Sequence, residues 1–156
     1  MARWIALFIS HGVALVAGFA LGIYLLPILT APPSVDRAML AETAKAAKYT
    51  ATFTRDLKGS DFLHWGEGEV SVTPQKIVHS GRLAPGPDYK LYLAPDFAED
   101  EASFLRIKDR AVRVGDVKTF DGFVLDLPAG ANIDAHTTIV VWCEAFGEFI
   151  SAAKYR

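Results

Sequence analysis

Residues 4–35 contain no Asp, Glu, Lys or Arg, and no other feature restricts the fold as strongly. An α-helix rises about 1.5 Å per residue, so roughly 20 apolar residues cross a hydrocarbon core. Residues 4–29, WIALFISHGVALVAGFALGIYLLPIL, exceed that length with room for tilt. A cleaved signal peptide shares the order of a positive start and an apolar run. This run is longer than a usual signal core, and its end lacks a small-x-small cleavage site, because Leu29 and Ala31 are followed at once by Pro32. The expectation is an uncleaved anchor over residues 1–31 that contacts the bilayer through residues 4–29.

Arg3 and the amino terminus favour a cytoplasmic start, against Arg37, Lys45 and Lys48 beyond the run. A short tail before the span and a long domain after it give a signal-anchor in the inner (cell) membrane. The domain then lies outside the cytoplasm, in the periplasm if the source is Gram-negative. Trp4 and Tyr24 stand where interfacial aromatics anchor a helix, and His11 and Ser10 fall near its first turns. Ala14, Gly18 and Gly22 repeat at small-xxx-small spacing. A homodimer through Gly18 and Gly22 is one candidate arrangement.

The apolar run also explains the overall composition, 51% hydrophobic with a net charge of −2. With Arg3 set aside, the remaining Lys and Arg face all 18 Asp and Glu in an ordinary, mildly acidic domain. No basic block is present, which excludes nucleic acid as an expected partner. One cysteine, Cys143, forms no intramolecular disulfide and no multi-cysteine zinc site. Pro27 and Pro32-Pro33 punctuate the end of the run. Residues 32–48 then read as a linker, with Ser34 as the N-cap of a short helical spacer that lifts the domain off the bilayer.

From residue 49 the period changes. Strands are predicted over residues 50–56, 68–73, 76–83, 89–94, 112–120, 122–128, 137–143 and 146–155. Short strands with Gly, Pro and Asp between them indicate an all-β, antiparallel β-sandwich over residues 49–156, with a small barrel as the alternative. One helix interrupts them, starting at Asp96 as N-cap with Glu99 at the capping-box position and running to about residue 109.

Alternation along TTIVVWCE puts Ile139, Val141 and Cys143 on one face, and Val140 and Trp142 on the other. Free cysteine is among the most buried residue types, so core packing competes with a redox or ligand role for Cys143. His79 and His136 read as structural. His64 stands out because Trp65, Gly66 and Gly68 crowd its turn while Asp61, Glu67 and Glu69 offer acceptors. A haem or copper site built from Cys143 and distant histidines is compatible with the sequence, but no spacing demands one. No serine stands in a nucleophile-elbow setting.

Four stretches carry a resemblance: His64-Trp65-Gly66-Glu67-Gly68; Gly86-Pro87-Asp88-Tyr89 with Leu91-Tyr92-Leu93; Val114-Gly115-Asp116-Val117-Lys118; and Val141-Trp142-Cys143-Glu144-Ala145-Phe146. From about residue 49 to 156 the chain resembles the DM13 domain of animal extracellular and bacterial membrane-anchored proteins. The resemblance implies a sandwich allied to DOMON domains, and electron transfer or thiol redox chemistry through Cys143. His64, Trp142 and Glu144 would then be supporting residues, with a redox partner acting in trans. A binding or scaffold module, docking a membrane or envelope partner and using the cysteine as core packing, is the alternative. Either is expected to be a module rather than a stand-alone enzyme. The last strand departs from the family pattern: Ile150 follows Phe149 where many members have glycine.

Overall fold

Each period-two segment becomes a strand: β1 (Tyr49–Phe53), β2 (Gly66–Val72), β3 (Lys76–Leu83), β4 (Tyr89–Ala94), β5 (Val112–Val117), β6 (Phe123–Asp126), β7 (Thr138–Cys143) and β8 (Glu148–Lys154). The computed structural model describes residues 1–156 and arranges the strands in two four-stranded sheets, β1-β2-β3-β6 and β5-β4-β7-β8. Every pairing is antiparallel. Between the sheets, Val70, Val72, Ile77, Leu91, Leu93, Ile139 and Val141 have no exposed surface. Each such side chain contributes about 1.5–3 kcal/mol on burial.

The second sheet is buried on its outer face too. There Tyr92, Val140, Trp142 and Phe149 pack under Phe104 of α3 (Glu101–Leu105). This double burial explains why β7 reads as an unbroken apolar run. Alternation along β7 is as predicted, with Ile139, Val141 and Cys143 facing the main core and Val140 and Trp142 facing α3.

The helices differ from expectation at their starts. α3 is capped by Asp100, not Asp96: the Asp100 carboxylate accepts the Ser103 N–H at 2.7 Å, and Ser103 Oγ accepts the Asp100 N–H at 3.1 Å. The reciprocal pair outcompetes Asp96, which instead meets Arg110 at 3.2 Å. The helix before the sandwich, α2 (Arg37–Ala44), is capped by Asp36, whose carboxylate accepts the Ala38 N–H at 2.7 Å. Ser34 is drawn away because its hydroxyl donates to Asp121. α2 does not lift the domain. It lies against β3 with Leu40 buried over Gly122.

α1 (Ala2–Thr30) continues through Pro27 and ends just before Pro32-Pro33. It is long and apolar enough to cross a membrane, and none of its residues is buried. Two of its polar side chains turn back onto the helix: Ser10 Oγ and His11 Nδ1 lie 2.9 and 2.8 Å from the Leu7 carbonyl oxygen.

The strand directions give the sandwich two distinct ends. At the near end, where the chain arrives from α1, Ser34 is tied to the β5–β6 turn. The β1–β2 loop, the β3–β4 link and the β7–β8 turn gather there as well. The far end holds the β2–β3 turn and the β6–β7 connection.

Candidate functional site

Cys143 is the last residue of β7 and lies at the near end, where it stands opposite Tyr89, the first residue of β4. This register brings two separated stretches, Gly-Pro-Asp-Tyr and Val-Trp-Cys-Glu-Ala-Phe, into one structure. The Glu144 N–H donates to the Asp88 carbonyl at 3.0 Å, and the Gly147 N–H closes the turn on the Cys143 carbonyl at 2.9 Å. Gly86 is required by the Tyr89 ring, because a Cβ there would stand 2.4 Å from ring atoms and the hydroxyl. Gly68 answers a separate demand in β2: its φ is +114°, and a Cβ would meet the Ser80 carbonyl oxygen at 2.4 Å.

A cleft of about 690 Å³ opens over these residues. Cys143, Tyr89 and Ile150 form its almost fully buried floor. Phe62, Leu63, His64 and Phe146 form the rim, and α1 supplies a wall through Ala20, Leu21, Ile23 and Tyr24.

Two opposed effects act on the Cys143 thiol. Burial pushes its pKa up, while the N–H groups of Phe146, Asp88 and Ala145 pull it back. Burial prevails, and the group is a protonated thiol at neutral pH. Tyr89 is also raised, by burial first and then by the neighbouring Cys143.

His64 lines the same cleft, held by a loop that Asp61 organises. Asp61 Oδ1 accepts the N–H groups of Leu63 and His64 at 2.6 and 2.7 Å, and Oδ2 lies 2.9 Å from His64 Nδ1. Nδ1 is thereby committed, which leaves Nε2 as the nitrogen available to a ligand. Behind this loop Arg55 stacks 3.4 Å from the Trp65 ring centre, and Glu67 pairs with Arg55 and Arg82 at 2.7 and 3.0 Å.

The other two predicted residues point elsewhere. Trp142 lies on the opposite face of β7 against Phe104, their ring centres 5.1 Å apart. Glu144 turns toward the same side, accepting the Tyr92 hydroxyl and pairing with Lys108 at 2.7 Å. Burial works to raise the Glu144 carboxyl, but Lys108 and Tyr92 outweigh it and its pKa falls below the usual range. The structure therefore brings Cys143 and His64 to one cleft and leaves Trp142 and Glu144 outside it.

Nowhere do three His, Cys, Asp or Glu side chains converge as a metal-ligand group. A copper centre of two histidines and a cysteine does not fit these residues. A group needing one sulfur ligand and an apolar slot does, with Cys143 as the ligand and the cleft as the slot. Sequence reasoning did not assign Tyr89, Phe62, Leu63 or Phe146 to the site. Tyr89 and Phe146 did stand inside the stretches that carried the resemblance.

No curated protein and no solved structure matches the chain. The family model described as "Electron transfer DM13" matches residues 53–155, a span running from the end of β1 to just beyond β8. That span holds the sandwich and the Cys143 floor of the cleft, and it makes the chain a member of the DM13 family.

Proposed function

We propose that this protein is a membrane-anchored, extracytoplasmic DM13 domain that takes part in electron transfer or thiol redox chemistry through Cys143. The observation that carries the proposal is the placement of the chain's single thiol, almost fully buried, on the floor of an apolar cleft. A thiol set this deep meets a reactant only through the cleft, and a group bound there would meet the sulfur in apolar surroundings. The chain has no second cysteine to resolve an internal disulfide. One-electron chemistry at a sulfur-ligated group such as haem, with a redox partner in trans, is the form the cleft suits best. His64, which lines the same cleft, is its candidate supporting side chain. Residues 4–29 form the bilayer contact, with Gly18 and Gly22 available for a homodimer.

A second reading also has an observation behind it. Cys143 belongs to the main core cluster, as it would in a scaffold module that docks a membrane or envelope partner. An absorption spectrum of the full chain purified from membranes separates the two. The redox reading expects a visible band that changes on reduction and is lost in Cys143→Ser. A colourless protein whose thiol stays reduced throughout an oxidative titration contradicts it. On the scaffold reading, Cys143→Ser costs only about 1 kcal/mol of stability, through a buried hydroxyl.

A further inference from the structure

The cleft over Cys143 is unusual in what surrounds its mouth. Phe62 is 92% exposed, Phe146 53% and Leu63 50%, and all three stand on one rim. The near-end loops thus present clustered large apolar side chains, which marks an interaction surface rather than scattered exposure. The fourth wall is α1 itself, through Ala20, Leu21, Ile23 and Tyr24, all within the uncharged run.

Chain length limits how far this rim stands from a bilayer. α1 has 29 residues, about 43 Å at about 1.5 Å per residue, against a hydrocarbon core of about 30 Å. Thr30 ends the helix and Ser34 is already bonded to the near end. Even a fully extended link would hold the two within about 14 Å. Tyr24 lies about 9 Å back from Thr30 along the helix axis. It lines the cleft and has the chemistry of a residue at the headgroup boundary. The cleft therefore lies at the level where the helix leaves the hydrocarbon.

We infer that the Cys143 cleft opens onto the outer leaflet, with Phe62, Leu63 and Phe146 seated in the interface, and that it admits apolar molecules dissolved in the lipid in preference to solutes from the aqueous side. The inference rests on the membrane-anchored reading and adds the route and the chemical class of the ligand. The polar groups at the cleft, His64 and Glu148, suit an amphiphile with a polar head on a long apolar chain.

The single cysteine makes the test direct. The full chain is reconstituted into phosphatidylcholine vesicles and recovered by flotation. Cys143 is then alkylated by a dodecyl maleimide carried in the lipid or by a sulfonated maleimide in the water. Lys154→Cys in a Cys143→Ser background, exposed at the far end, gives the outward-facing fraction. The lipid-borne reagent is expected to react at least about tenfold faster, because the charged one must shed water to enter. Phe62→Ser with Phe146→Ser should reduce that preference at least about threefold, by removing the apolar seat. Equal rates, a faster sulfonated reagent, or no reaction with either until denaturation would overturn the inference in the wild-type protein alone, whether or not the double variant folds. Protein that fails to float overturns the anchored reading instead.

Discussion

At the far end of the sandwich, polar side chains close the space between the sheets. Tyr155 donates its hydroxyl to the Ile133 carbonyl at 2.7 Å, and its N–H bonds the Thr137 carbonyl at 2.8 Å. Lys48 and the Tyr49 hydroxyl converge on Asp134. Thr73 turns its hydroxyl onto the β2–β3 hairpin, accepting the Lys76 N–H at 2.8 Å. At the near end the cleft is closed by apolar and aromatic side chains, with a buried thiol beneath them and exposed Phe62 and Phe146 above. One end is held by directional bonds that tolerate little movement. The other combines hydrogen-bonded loops, such as the one Asp61 organises, with apolar packing that leaves a cavity. Such a division would suit a scaffold with a loop-borne site, its ligand surface lying away from the polar closure.

The sharpest way to test that division is to damage the far end. Tyr155→Ala removes a buried ring packed at a tilt against Tyr49, 5.4 Å between ring centres, together with its hydrogen bond to Ile133. Loss of a large buried aromatic costs about 3–5 kcal/mol, read as a fall in the urea midpoint. In the molecules still folded, the rate of Cys143 alkylation should match wild type. A large change in that rate would show that the two ends are not separable. Gly86→Ala is the counterpart at the near end. The new methyl meets the Tyr89 ring, and displacing that ring costs about 1–3 kcal/mol. Because Tyr89 stands opposite Cys143, the same change should speed thiol alkylation. Unchanged alkylation with lowered stability would mean that Tyr89 packs without guarding the thiol.

The same two ends differ in how much of them could be read from the sequence. The strands were legible because period-two alternation is a local signal, and the turn residues between them are local too. Cap assignment was less secure where two acceptors compete: Asp36 against Ser34, and Asp100 against Asp96. A tertiary partner decided the first, with Asp121 taking Ser34, and the local Asp100–Ser103 pair decided the second. Within the site, Cys143 and His64 were visible as candidates. Tyr89 was not, because the β4–β7 register that sets it against Cys143 depends on pairing between distant segments. Trp142 shows the reverse case. The resemblance made it a supporting residue, yet alternation along β7 already placed it on the other face from Cys143. The exposure of Phe62 and Leu63 had no local signature at all, since apolar residues in a loop are as often covered as bare.

The smallest expected effect concerns the far end's ion pair. Lys48 Nζ lies 2.8 and 2.7 Å from the two Asp134 oxygens, and the Tyr49 hydroxyl is 2.6 Å from one of them. Lys48 first, and then Tyr49, hold the Asp134 carboxyl below the ordinary carboxylate range. As pH falls, the unfolded chain takes up the proton before the folded one does. The contribution of the pair is therefore complete above the ordinary range and is lost as pH falls through the folded value. Asp134→Asn should be less stable than wild type at neutral pH, and the gap should close in acid. Both partners are about half exposed, so salt should also narrow the gap. Thermal melts of the two proteins from neutral to acid pH, at low and high salt, supply the measurement. A gap that stays constant with pH would show that the charge on Asp134 is not what stabilises this end.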